Sequence, residues 1–110
     1  MLGDHVFLEA GKGRPIIFCH GLFGGIYNAE KIAEPISGNY RFLMPFLPMY
    51  DLPLAKCRVK TLGTYLRNFM NVLQLEEAVL VGNSMGGGAA AYLAAENDPR
   101  IKGLVLCGSS

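Results

Sequence analysis

The chain has 110 residues, enough for one domain with a modest hydrophobic core and not for two. Ten lysines and arginines against nine aspartates and glutamates leave a net charge of +1, and no basic block gathers them, which argues against a nucleic-acid partner. Apolar residues make up 51% of the chain, yet prolines and charges break every apolar run short of the roughly 18 residues that a membrane span needs.

The N-terminus, Met1-Leu2-Gly3-Asp4-His5, lacks the basic start and apolar core of a signal peptide, so the expected compartment is the cytoplasm. Three cysteines without paired spacing agree with reduced thiols. Cys19 and Cys107 fall in apolar runs and are expected to be buried small hydrophobes, whereas Cys57 falls in a loop-like stretch.

In chain order, residues 5–9 and 15–19 are short extended runs around Ala10-Gly11-Lys12-Gly13-Arg14, a glycine-rich link that predicts a hairpin or tight turn. Ile16-Ile17-Phe18-Cys19 is apolar at consecutive positions, the pattern of a strand covered on both faces. Residues 40–44, 78–81 and 103–107 read the same way. Helices are predicted over 29–36 and over 62–73, where Leu62, Leu66, Phe69 and Leu73 share a face that Tyr65, Met70 and Val72 broaden. A further helix follows over 85–96, with small alanines suited to close packing on a sheet. Strands alternating with helices imply an α/β fold, a parallel sheet wrapped on both faces by right-handed crossovers, in one unit over residues 1–110. Residues 42–53 carry three prolines among Phe46, Leu47, Met49, Tyr50 and Leu52. They suit a loop packed under something larger, or one wall of an apolar cleft at the carboxyl ends of the strands.

Two loops carry the chemistry. Val79-Leu80-Val81-Gly82-Asn83-Ser84-Met85-Gly86-Gly87-Gly88 reads as a buried strand that breaks at a serine into a helix. Gly-x-Ser-x-Gly is the pattern of a nucleophile elbow, in which glycines let the backbone double back around an exposed hydroxyl, so Ser84 is the candidate nucleophile. The other loop, His20-Gly21-Leu22-Phe23-Gly24-Gly25, follows a strand and can turn backbone amides toward one point. Acyl transfer needs donors aimed at the developing oxyanion, and the N–H groups of Leu22 and Met85 fit those two places. His20, Gly21 and Phe23 are expected to border the substrate. A phosphate loop is disfavoured, since Met85-Gly86-Gly87-Gly88 is not followed by Lys-Ser or Lys-Thr.

A serine hydroxyl needs an adjacent base, usually a histidine oriented by a carboxylate. The two histidines are His5 and His20, both before Ser84. His20 is better suited to organising its glycine loop than to taking the proton, and a Cys19–His20 dyad is disfavoured because strand neighbours point to opposite faces. Asp98 lies downstream, but Asn97-Asp98-Pro99-Arg100 has the composition of a turn that ends the preceding helix.

Taken together, Phe18-Cys19-His20-Gly21-Leu22-Phe23-Gly24, the elbow at 79–87 and Ile101-Lys102-Gly103-Leu104-Val105-Leu106 resemble the N-terminal half of an α/β-hydrolase. The elbow Gly-Asn-Ser-Met-Gly-Gly is similar to that of carbon–carbon bond hydrolases acting on ring-cleavage products, with close variants in esterases and lactonases. Serine at 84 sets the chain apart from the family branches that use an aspartate nucleophile. The family's Asp-x-Pro-Gly-x-Gly-x-Ser pattern has lost its glycines in Leu47-Pro48-Met49-Tyr50-Asp51-Leu52-Pro53. The resemblance implies an incomplete core of a three-layer sandwich, without lid or C-terminal strands, belonging to a longer enzyme. It implies a serine hydrolase of a small ester, lactone or activated ketone that works through an acyl-serine and needs neither metal nor organic cofactor. A non-catalytic binding or assembly module on the same fold is the alternative. The strand ending near Cys107 is expected to associate through its edge, with a second copy or with a C-terminal half.

Overall fold

The computed structural model describes residues 7–20, 38–46, 59–83 and 85–107. Strand β1 is Phe7–Ala10, β2 is Arg14–Cys19 and β3 is Tyr40–Pro45. Helix α1 (Val59–Val72) leads to β4 (Ala78–Asn83), and helix α2 (Met85–Ala95) leads to β5 (Ile101–Cys107). The five strands form one sheet in the order β1-β3-β2-β4-β5, in which every pairing is parallel except that of β1 with β3. This is an α/β fold with a mostly parallel sheet. The helix expected over 29–36 and the loop over 47–53 lie outside the described residues. No described helix is long and apolar enough to cross a membrane.

The glycine link after β1 makes the tight turn, with Gly11 at φ 82° and Gly13 at φ 128°. A Cβ on Gly13 would lie 2.2 Å from the Asn39 carbonyl oxygen, so the chain passes too close to the start of β3 for a side chain. Of the two forms the link allowed, the hairpin does not occur. β3 runs between the two strands, with Phe42 opposite Ala10 of β1 on one side and Ile16 of β2 on the other. The physical reason lies in β2, whose apolar run takes β3 and β4 as parallel partners and leaves β1 the outer edge of β3.

Consecutive apolar residues in β2 and β3 are covered on both faces, as their pattern demands. Ile17, Cys19, Leu43 and Leu80 face one way and join Leu62, Leu66, Phe69 and Met70 of α1 and Ala89, Ala90 and Leu93 of α2 in the main core. Phe18, Phe42 and Met44 alternate with them and form a second buried cluster on the opposite face. Both described helices therefore pack on one face of the sheet. Strand β5 departs from its expected double cover: Leu104, Val105 and Leu106 are 38, 49 and 48% exposed. Its position at the end of the strand order leaves it one partner among the described residues, β4.

Helix α1 stops at Gln74, which takes the left-handed conformation (φ 54°) while the Leu75 N–H donates back to the Met70 carbonyl at 3.1 Å. Helix α2 stops in the same way at Asn97 (φ 60°). Beyond it the predicted turn forms. The Asp98 carboxylate accepts the Arg100 backbone N–H at 2.9 Å and its guanidinium at 2.7 and 3.0 Å, while Arg100 Nη1 donates to Asn71 Oδ1 of α1 at 2.7 Å. Arg67 of α1 also pairs with Glu96, so polar side chains fasten the far ends of the two helices together.

Hydrogen bonds from Arg100 hold the Asp98 carboxyl down from its ordinary 3.8 to about 2. A group with a lowered folded pKa stabilises above its unfolded value and stops doing so as pH falls through the folded one. Asp98→Asn is therefore expected to cost about 1–2 kcal/mol at pH 7, with the gap in Tm closing as wild type is acidified from about pH 4 toward 2. A gap independent of pH in thermal melts contradicts this role.

Candidate active site

Strand β4 ends at Asn83 and helix α2 begins at Met85, so the chain passes from strand to helix across one residue, Ser84, which itself lies outside the described residues. The glycines on either side record how sharp the passage is. A Cβ on Gly82 would lie 2.4 Å from Gly87 Cα and 3.0 Å from Gly87 N, so the strand end and the first turn of α2 touch backbone to backbone. A Cβ on Gly86 would lie 2.1 Å from the Cys19 carbonyl oxygen and 2.3 Å from that of His20. Real Cβ atoms do not approach so closely, and neither neighbour is a flexible side chain.

The register of the sheet explains the second contact. β2 and β4 run parallel with Cys19 opposite Gly82, so their carboxyl ends leave the sheet side by side and the residue after β2 stands beside the elbow. That residue is His20, 6% exposed, whose ring meets Phe46 at a centroid distance of 6.5 Å and an interplanar angle of 64°. The first turn of α2 points its N–H groups toward this same end of the sheet, and a helix N-terminus favours negative charge there. Three features thus converge at the carboxyl ends of β2, β3 and β4: the strand-to-helix passage, the end of the strand that carries His20, and a helix N-terminus.

Of the expected site residues, Met85 is placed as the first residue of α2 and His20 as a buried neighbour of the elbow. Gly21, Leu22 and Phe23 lie outside the described residues, as does His5. Asp98 is at the opposite end of α2, about 16 Å away at 1.5 Å rise per residue, and is bound to Arg100, in keeping with its turn role. Cys19 packs in the main core and burial pushes its thiol up to about 12, so it is a hydrophobe and not a nucleophile. The His20 ring lies instead against Phe46, which packs on the opposite face, so the two neighbours form no dyad. Cys57 and the side chain of Cys107 lie outside the described residues.

Phe46, which falls in the apolar stretch 42–53, is a neighbour of His20 that no motif marks. The available signal was its place just past an apolar strand parallel to the one that ends before His20. A cavity of about 410 Å³ bordered by Ala94, Asp98, Ile101 and Leu104 sits at the far end of α2, away from these groups.

Residues 14–110 match the family model described as the alpha/beta hydrolase fold. The chain is 49% identical over 109 residues to a 2-hydroxymuconate semialdehyde hydrolase of Pseudomonas sp. (strain CF600), covering 93% of this chain and 38% of that protein. It is 31% identical over 108 residues to a 2-hydroxy-6-oxo-6-phenylhexa-2,4-dienoate hydrolase of Burkholderia cepacia, covering 91% and 38% respectively. The crystal structure of MGS-MChE2, an alpha/beta hydrolase enzyme from a metagenome of lagoon sediments at Mar Chica, Morocco, superposes with a TM-score of 0.91 at 36% identity. That match covers 98% of this chain and 50% of the other. The chain thus spans well under half the length of the two curated relatives.

Proposed function

Because the chain belongs to the alpha/beta hydrolase family, we propose that it carries the nucleophile and oxyanion portion of a serine hydrolase acting on a small ester, lactone or activated ketone. The observation that carries this reading is the close backbone approach at Gly82, to Gly87, and at Gly86, to the end of β2, on either side of Ser84 in the chain, the crowding that a sharp nucleophile elbow requires.

In the proposed reaction the Ser84 hydroxyl adds to the substrate carbonyl, and its proton passes to a histidine base. The carbonyl oxygen becomes an oxyanion held by the Leu22 and Met85 N–H groups, at the positive end of α2. Collapse breaks the C–O bond of the ester or lactone, or the C–C bond of the activated ketone; the departing alkoxide or stabilised carbanion takes the proton from the histidine, and an acyl-serine is left. Water, deprotonated by the same base, then adds to the acyl carbonyl and releases the carboxylic acid and the free serine. We assign the histidine and its orienting carboxylate to the part of the relatives' length that this chain does not span, since Asp98 is held by Arg100 in its turn. The relatives named for a muconate semialdehyde and a phenylhexadienoate favour the activated-ketone branch.

The full reading frame that encodes this chain is expected to hydrolyse short p-nitrophenyl esters and, faster, a 2-hydroxy-6-oxo-dienoate ring-cleavage product, followed by loss of its visible absorbance. A folded protein inert toward both, yet binding the dienoate unchanged, favours the non-catalytic module. The place of β5 at the end of the strand order, with β4 as its one described neighbour, supports association through its edge, with further α/β-hydrolase polypeptide or a second copy. Light scattering that finds a monomer of the 110-residue chain at tens of micromolar contradicts association of that chain with itself.

A further inference from the structure

We propose that Phe46 is a positioning residue for the elbow, acting through His20; the inference rests on the serine-hydrolase reading above. β2 and β3 are parallel neighbours with Ile17 opposite Leu43, and continuing that register past the strand ends sets His20 beside Phe46. The two rings meet edge to face at 6.5 Å and 64°, the arrangement in which a ring edge meets a π face. Phe46 is anchored from the sheet side. It packs against the cluster of Phe18, Phe42 and Met44, none more than 2% exposed, in which Phe18 and Phe42 stack at 6.0 Å.

From His20 the contact reaches the elbow through backbone. The carbonyl oxygens of Cys19 and His20 form the surface against which Gly86 closes, with no room for a methyl group between them. A buried cluster, the Phe46 ring, the His20 ring, the His20 carbonyl and the first turn of α2 are therefore in series. Moving His20 moves the seat of that first turn, and with it the direction of the Met85 N–H and the stance of Ser84. Neither ring takes or gives a proton in the reaction. Their effect is on geometry, and reacting groups misplaced by about 1 Å lose on the order of 10²-fold in rate.

The test compares Phe46→Met, which keeps apolar bulk without a ring, with Phe46→Tyr, which keeps the ring edge, in the protein from the full reading frame. Each is measured for Tm, for kcat and KM on an ester, and for the rate at which a fluorophosphonate labels Ser84. Phe46→Met is expected to lower kcat and the labelling rate together by about 10-fold, with KM within about two-fold and Phe46→Tyr restoring most of both. Phe46→Met with wild-type kcat and labelling overturns the proposal, as does a change confined to KM, which would make Phe46 a substrate contact. Should Phe46→Met fail to fold, Phe46→Leu takes its place, and a tyrosine variant as slow as the ring-less one also overturns it. A wild type that is not labelled at Ser84 removes the serine-hydrolase reading and this inference with it, whereas a labelled wild type with an indifferent Phe46 removes this inference alone.

Discussion

Gly86→Ala is expected to abolish the folded elbow and with it the reactivity of Ser84. The added Cβ would lie 2.1 Å from the Cys19 carbonyl oxygen, 2.3 Å from that of His20 and 2.4 Å from the Cys19 carbonyl carbon. Ordinary contact lies more than 1 Å further out, so α2 and the end of β2 must separate. In a helix the same change would ordinarily stabilise by about 1 kcal/mol, because alanine loses less conformational entropy than glycine. Here the steric term wins, since overpacking against backbone that cannot turn aside costs about 3 kcal/mol or more. Gly103→Ala is the matched control. Its Cβ would meet the Val79 methyl groups at 3.6 and 3.7 Å, which is ordinary contact. Thermal melts of the two variants should therefore part: a drop of about 10 °C or more, or no cooperative transition, for Gly86→Ala, and a change of a few degrees for Gly103→Ala. A Gly86→Ala protein that melts and reacts like wild type would mean that the described approach of α2 to β2 is wrong.

Ser84→Ala should leave the fold intact and lower kcat by about 10⁵–10⁶-fold, the scale on which loss of a serine nucleophile acts. The residual rate would come from the oxyanion amides and from holding the substrate, neither of which needs the hydroxyl. Because the hydroxyl acts only in the bond-forming step, KM and Tm should stay close to wild type, and that split separates lost chemistry from lost folding. A fall of less than about 10-fold would mean that another group attacks the carbonyl.

The elements legible in the sequence were those whose pattern is local. Ile16-Ile17-Phe18-Cys19 announced a strand covered on both faces, and the spacing of Leu62, Leu66 and Phe69 announced the buried face of α1. Asn97-Asp98-Pro99-Arg100 announced its turn, because an aspartate that accepts the N–H two residues on is local chemistry. Strand partners were not legible. Ala10 to Arg14 carries the composition of a hairpin link, but which edge β1 meets depends on how strongly β2 pairs with β3 and β4, and β3 begins 26 residues after Arg14. The exposure of β5 was hidden for the same reason, since a run of Leu, Val and Leu reads alike at the centre and at the edge of a sheet. At the site, the Gly-x-Ser-x-Gly pattern led to the elbow because Gly82 answers a close approach to Gly87 within the loop itself, whereas the partner of Gly86, the end of β2, is not written in the motif. The meeting of His20 with Phe46 was missed, because it is made by register between two strands and no motif spans both.

The most direct test of the serine-hydrolase reading is to treat the protein from the full reading frame with a fluorophosphonate and map the adduct by peptide mass. A single adduct on the peptide containing Asn83-Ser84-Met85, absent from Ser84→Ala, is the result predicted. A folded protein that acquires no adduct, or acquires it on a different residue, would contradict the account.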